Sequence, residues 1–491
     1  MEIWKGVRRK LAAAGLVFLS ALAACGGERA GSTGEPPVVQ ARDHVVPAWF
    51  TDAKLGIFIH WGVYSVPAWA PVGQYAEWYW FFQQTPIFAQ HGYHLRTYGA
   101  SFLYDDFIPE FRAENWDPRD WIELIRNSGA KYWVLTTKHH DGFALWPTTT
   151  TDRNSVKLGP HRDIVGDLVK ANVGSGLKAG LYYSLPEWFS PAPRPSNIYP
   201  GTSRLFETYH YPQDPYAEGH PQVPYTGYRP IDDYSTGQVI PQIEELIDRY
   251  HPSILWCDIG GDPSYFQSER WLTHFFTDGA RHHPDGVTAN NRCGAFGDFD
   301  TPEYAPLPAP GGRYFEATRG LGESFGYNQN EKISDYLTDA EAIHTLVDTV
   351  AGGGNLLLDI GPMADGTIPP VMRDRLLAIG QWLEINGEAI YATRPWSHPG
   401  SGSRRYTRDR HANLYVIAEE WPGDELVVDG PVPVSASTVV SLLGSDGTTL
   451  PFRSEADRLV ISLPPGSDPS MTRSKHAFVF RVTNVSQQAE E

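Results

Sequence analysis

The segment Ser253-Ile254-Leu255-Trp256-Cys257-Asp258-Ile259-Gly260-Gly261 runs an apolar stretch into a carboxylate and then into glycines. Such a run reads as a buried strand. An acid at its carboxyl end stands where barrel enzymes keep their chemistry. Aspartate before glycine is also ordinary turn chemistry, so these nine residues leave a catalyst and a turn cap both open. Two other strand ends carry reactive groups. Lys54-Leu55-Gly56-Ile57-Phe58-Ile59-His60 closes on an imidazole, and Tyr132 to Thr137 runs into Lys138-His139-His140-Asp141-Gly142. A histidine pair suggests a metal, but neighbouring side chains on a strand end diverge and no third ligand stands at suitable spacing. A single histidine beside tryptophan is usually structural, so these residues gain meaning only where they converge.

What would bring them together is a repeating order of strands and helices. Asp117-Pro118-Arg119-Asp120 opens a helix with proline in its first turn, Trp121, Leu124 and Ile125 keep helical spacing, and Gly129 stops it. Helices follow at Asp163 to Ala171, Val239 to Tyr250, Ser268 to Arg281, Asp339 to Ala351 and Pro370 to Asn386. Strands are expected at 54–60, 132–137, 179–184, 253–258, 286–291, 313–317 and 355–360. This alternation predicts parallel pairing, with the polar strand ends on one face. Seven strands fit an irregular eight-stranded (β/α)8 TIM-like barrel with one element still to be found. An open doubly wound sheet is the alternative, but no Gly-x-Gly-x-x-Gly follows the first strand. From Ser397 onward short β-rich runs between Gly, Pro and Asp predict a β-sandwich. The expected divisions are a leader at 1–24, a tether at 25–44, the barrel at 45–396, the sandwich at 397–486 and a disordered tail at 487–491.

The formal charge of −18 argues against a nucleic-acid partner. The chain holds 16 Trp, 25 Tyr and 22 Phe, rings that fill cores and also stack on sugar faces. Lys5, Arg8, Arg9 and Lys10 precede an apolar run from Leu11 to Ala24, too short to span a bilayer. It ends Leu22-Ala23-Ala24-Cys25-Gly26, which resembles a bacterial lipobox. That implies cleavage before Cys25, lipid on its sulfur and anchoring to the cell envelope; a plain secretory signal is the alternative. Cys257 and Cys293 have no zinc-like spacing and are expected to be two buried thiols, although a disulfide is possible.

Several ordered motifs between about Val46 and Trp396 carry a resemblance. They are Gly56-Ile57-Phe58-Ile59-His60-Trp61-Gly62, Glu77-Trp78-Tyr79, Thr137-Lys138-His139-His140-Asp141-Gly142-Phe143, Gly180-Leu181-Tyr182-Tyr183-Ser184, Leu255-Trp256-Cys257-Asp258 and Ser324-Phe325-Gly326-Tyr327. Gly353-Gly354-Asn355-Leu356-Leu357-Leu358 and Asn386-Gly387-Glu388-Ala389-Ile390-Tyr391 belong with them. In these the chain resembles the α-L-fucosidases of glycoside hydrolase family 29. The resemblance implies a retaining exo-glycosidase without metal or organic cofactor, acting on fucosylated glycans or glycoconjugates. Asp258 matches the family nucleophile. Glu303, in Gly297-Asp298-Phe299-Asp300-Thr301-Pro302-Glu303-Tyr304, resembles the acid/base, with Glu316 and Glu77 as rivals. His60, Glu77, Trp78, His139, His140, Tyr182 and Arg292 match residues that contact hydroxyls and the ring oxygen. Phe58, Trp256 and Phe325 match the wall around the sugar methyl. Phe325 stands where many members have Trp, and Asp359 where Asn is frequent.

Two other readings remain: a catalytically silent carbohydrate-binding lipoprotein on the same scaffold, and a glycosidase for a galactose-like sugar. Linkage preference and oligomeric state are not legible. Residues 81–108 and 186–235 are expected to line the leaving-group side.

Overall fold

The computed structural model describes residues 38–84, 86–195, 225–308, 311–447, 449–455 and 457–485. Cys25, the leader, the tail after residue 485 and most of the 186–235 loop lie outside the described residues.

Largely apolar runs of five to seven residues form the strands β1 (Leu55–Ile59), β2 (Tyr132–Lys138), β3 (Lys178–Ser184), β4 (Ile254–Asp258) and β7 (Asn355–Ile360); β6 (Glu316–Gly320) is polar, and β5 (Thr288–Ala289) is shorter. They pair in parallel in the order β5-β4-β3-β2-β1-β7-β6. Sequential neighbours, with the last strand returning to the first, require a sheet that curls on itself. The remaining gap is closed by residues 298–304. On one side, Asp298 N–H donates to Ala289 O at 2.7 Å and Asn291 N–H to Phe299 O at 3.0 Å. On the other, Glu316 N–H donates to Asp300 O at 2.8 Å and Tyr304 N–H to Thr318 O at 3.1 Å. This segment is the eighth stave of the barrel, so the open sheet is excluded. Two expected strands are corrected. Thr288–Ala289 replaces 286–291, and Glu316–Gly320 replaces 313–317, because the ladder partners sit at those registers.

Alternate residues point inward, as strand geometry demands. Phe58, Tyr132, Val134, Tyr182, Ile254, Trp256, Phe299 and Leu357 form one buried cluster inside the barrel. Gly56 leaves room for this packing, since a Cβ there would lie 2.1 Å from the Tyr132 ring.

Outside run α1 (Pro118–Asn127), α2 (Ile164–Asn172), α3 (Ile240–Tyr250), α4 (Ser268–His282), α5 (Asp339–Ala351) and α6 (Pro370–Asn386). Asp117 caps α1 by accepting from Arg119 N–H at 2.9 Å, and Pro118 sits in the first turn. Asp163 caps α2 through Gly166 N–H at 2.8 Å. No helix follows β5 or the 298–304 stave among the described residues.

Residues 39–44, expected as tether, lie instead on α4. Val39 and Ala41 N–H groups donate to Thr277 and Thr273 hydroxyls, and His44 stacks on Phe276. From Arg394 onward the chain forms a six-stranded antiparallel sheet facing a three-stranded one, with Tyr406, Leu414, Val416, Val428, Ile461 and Phe480 in the buried layer.

The expectation of two buried thiols is also corrected. Cys257 and Cys293 form a disulfide, with Cα atoms 4.9 Å apart. Their burial is as expected. What single-residue reading misses is that the chain after β5 doubles back against the end of β4.

Candidate active site

Asp258 is the last residue of β4 and stands at the carboxyl end of the barrel. Ile259 beside it has φ +69°, a left-handed conformation that costs a β-branched residue on the order of 1–3 kcal/mol. The turn aims the Ile259 N–H at Asp258 Oδ1, 2.8 Å away. Tyr182 Oη donates to Oδ2 at 2.8 Å, and Arg292 Nη1 to Oδ1 at 2.9 Å. Both oxygens are therefore oriented, while the side chain stays 14% exposed to the cleft.

Arg292 reaches a second carboxylate. Its Nη1 and Nη2 each lie 3.2 Å from Glu303 Oε2. Thr301 fixes the guanidinium through Nε to Oγ1 at 2.7 Å and Nη2 to the carbonyl at 2.9 Å. Burial works against its charge, and Asp258 and Glu303 outweigh burial. One nitrogen thus contacts both acids, so Asp258 Oδ1 and Glu303 Oε2 cannot be more than about 6 Å apart. Glu303 Oε1 accepts from Tyr75 Oη at 2.8 Å, and its own backbone, in the closing stave, bridges to Thr318 of β6. Tyr75 is a contributor that sequence reasoning missed; it lies in an aromatic-rich stretch where every ring looks like core.

The rival acids have other partners. Glu316 is buried inside the barrel and accepts from Tyr132 Oη at 2.5 Å and Trp256 Nε1 at 2.9 Å. Burial lifts its carboxyl to about 7. It holds Trp256 from below while Arg292 covers the indole at 5.2 Å and Tyr182 stacks on it at 5.6 Å. Glu77 is buried near Phe325. Its Oε2 accepts from Gly326 N–H at 2.8 Å and Ser324 Oγ at 3.1 Å, and burial raises it to about 8.

The remaining expected residues converge on the same mouth. Ring centroids of Phe58 and His60 are 4.5 Å apart, Phe58 and Trp256 5.0 Å, His60 and Phe325 5.0 Å, and His139 and His140 4.2 Å. Trp78 meets His140 at 5.5 Å. The His139–Gly142 turn needs Gly142 at φ +74°, where a Cβ would fall 2.1 Å from Tyr225 Oη. His60, His139 and His140 are all held well below the usual imidazole range, chiefly by burial, and are neutral at pH 7. Neutral imidazoles suit hydroxyl recognition because each offers one donor and one acceptor. His140 Nδ1 meets Ser184 Oγ at 2.5 Å, that hydroxyl also lies 2.9 Å from Pro186 O, and His140 Nε2 is 3.6 Å from Asp258 Oδ2.

Among the described residues, His139 and His140 belong to no trio of metal-ligand side chains. The one such trio, His251, Asp278 and His282, is at the opposite end of the barrel and hydrogen-bonded within itself. A separate groove lined by Pro263, Gln267, Arg270, Phe296 and Arg313 includes none of the residues above.

Comparison with known proteins gives the same answer over nearly the whole chain. The family model described as alpha-L-fucosidase matches residues 22–388, and the alpha-L-fucosidase C-terminal domain matches 401–483. An alpha-L-fucosidase of Dictyostelium discoideum is 36% identical, over 91% of this chain and 94% of the relative. The human tissue alpha-L-fucosidase is 35% identical, over 90% of each. The crystal structure of Thermotoga maritima alpha-fucosidase with a mechanism-based inhibitor superposes with a TM-score of 0.75 at 38% identity, covering 90% of this chain and 98% of that one. The same enzyme in complex with fucose gives a TM-score of 0.75 at 37% identity, with the same coverage. On its barrel, its sandwich and these matches, the chain belongs to the alpha-L-fucosidase family.

Proposed function

We propose that this glycoside hydrolase removes terminal α-linked L-fucose from fucosylated glycans by double displacement. The observation that carries the reading is the Arg292 clamp, which touches both acids through one nitrogen and so keeps Asp258 Oδ1 and Glu303 Oε2 within about 6 Å. Retaining glycosidases hold their pair roughly 5–5.5 Å apart, while inverting ones need about 6.5–9.5 Å to admit a water. Asp258 attacks the anomeric carbon as the glycosidic bond breaks, and Glu303 gives a proton to the departing oxygen. Glu303 then takes a proton from water, which attacks the same carbon, frees Asp258 and releases fucose with its configuration retained. Phe58, Trp256 and Phe325 offer an apolar wall to the C6 methyl; His60, Glu77, Trp78, His139, His140 and Tyr182 surround the hydroxyls. An aromatic wall favours fucose over a galactose-like sugar, whose C6 hydroxyl would be left unpaired there. The paired acids favour an enzyme over a silent binding protein.

Release of aryl alcohol from an aryl α-L-fucoside tests the activity; no release from any fucoside would overturn it. Asp258→Ala should lower kcat by at least ~10³-fold, with azide restoring turnover and giving the inverted β-fucosyl azide. Unchanged activity would remove Asp258 from the nucleophile role. The leader supports lipidation at Cys25, which incorporation of labelled palmitate into wild type but not Cys25→Ala would test.

A further inference from the structure

Asp359 lies next to the site but has no place in the double displacement. It follows Leu357 on the inward face of β7 and is buried. Its Oδ1 is 2.6 Å from His60 Nδ1. Its Oδ2 is buried and has no hydrogen-bond partner among the described residues. Among the described residues no lysine or arginine forms an ion pair with it. The titratable groups that face this pair are Glu77, Tyr64 and Tyr304 around Asp359, and His139, His140 and Asp258 around His60. An ionised carboxylate here would be sealed from water with one hydrogen bond and no cation, an expensive arrangement. A carboxylic acid avoids that cost and has a proton to donate.

We propose that Asp359 is a positioning residue for His60: its carboxylic acid donates from Oδ1 to His60 Nδ1 and fixes the imidazole as the Nε2–H tautomer. Burial and the nearby Glu77 both raise the Asp359 carboxyl, in agreement with the protonated form. His60 then presents a donor at Nε2 to the pocket. A neutral acid therefore sets which hydrogen bond His60 offers to a sugar hydroxyl. This deepens the fucosidase reading and rests on it for the identity of the sugar, but not for the tautomer.

The test is a long-range ¹H–¹⁵N spectrum of the intact enzyme at pH 7, with His60 assigned against His60→Gln. The expected signal is a neutral Nε2–H imidazole in wild type and in Asp359→Asn, whose amide N–H also donates to Nδ1. Asp359→Ala should show mixed tautomers and bind L-fucose at least tenfold more weakly, while Asp359→Asn stays within about threefold of wild type. A His60 found as Nδ1–H or as imidazolium in wild type would overturn the assignment. So would Asp359→Ala binding fucose as tightly as wild type. If Asp359→Ala fails to fold, the wild-type and Asp359→Asn spectra still decide. Absence of fucoside cleavage would remove the substrate reading and leave the tautomer result standing.

Discussion

Arg292 is the residue through which the two acids of the site share one frame. Its contacts to Asp258, Glu303 and Thr301 leave the guanidinium little freedom, and a bidentate cation of this kind holds direction as well as charge. Glu303 is also anchored by Tyr75, so its carboxyl is aimed from two sides. Glu303→Ala should therefore slow fucosides with poor leaving groups by ~10²–10⁴-fold and spare activated aryl fucosides, because only the former need a proton at departure. A leaving-group series of kcat/KM checks this, and equal slowing across the series would assign the acid elsewhere. Asp258 was legible in the sequence because an apolar strand ran into it. Glu303 was less so, since its segment has no apolar period and only the resemblance singled it out. The donor role of Tyr75 was not legible: a phenol that orients an acid has the same letter as one that fills a core.

At the level of elements, capped helices and long apolar strands were readable, and the structure returns them within a residue or two, α5 and α6 among them. The eighth stave was not. Asp298-Phe299-Asp300-Thr301-Pro302-Glu303-Tyr304 is polar and short, and it becomes a strand only because β5 and β6 offer open edges on both sides. The disulfide was hidden for a related reason, since 36 residues separate two cysteines that the barrel brings together. Cys293 directly follows Arg292, and Cys257 directly precedes Asp258. The bond therefore ties the loop that carries the clamp to the strand that carries Asp258. Closing a loop of this length should stabilise the fold by about 2–4 kcal/mol. Cys293→Ser should lose that much in urea unfolding and should lower kcat/KM as Arg292 loosens. Equal stability of oxidised and reduced enzyme would argue that the bond does not constrain the chain.

Across the whole molecule, burial of charge sets the response to pH. Glu77 is raised to about 8 and Glu316 to about 7, both chiefly by burial, and Lys54 is lowered to about 7 for the same reason. The native state keeps protons on the two acids that the unfolded chain has released above about 4.5. Their stabilising contribution is complete below that pH and is lost as pH rises through 7 and 8. Lys54 acts oppositely: the native state has shed its proton above about 7 while the unfolded chain keeps it to about 10.5, so stability recovers with rising pH across that window. These three groups place a trough of stability near pH 7–8. Glu77→Gln removes one titration, so its stability relative to wild type should rise by several kcal/mol at most between pH 5 and 9. Urea unfolding of both proteins at matched pH checks the slope; parallel curves would mean that Glu77 stays ionised in the fold.

The closing stave has a consequence for how the molecule fails. It is held by a handful of ladder bonds, is followed by no helix before β6 among the described residues, and carries Glu303 in its own backbone pairing. Proteins open first where few contacts oppose opening, well below the free energy of global unfolding. The seam through which this barrel closes is then also its first place to breathe, and the acid goes with it. Activity should disappear at a lower urea concentration than tryptophan fluorescence changes, and amide exchange at Tyr304 and Thr318 should be faster than at Leu357. Catalytic competence and foldedness would be two separate melting events in one chain.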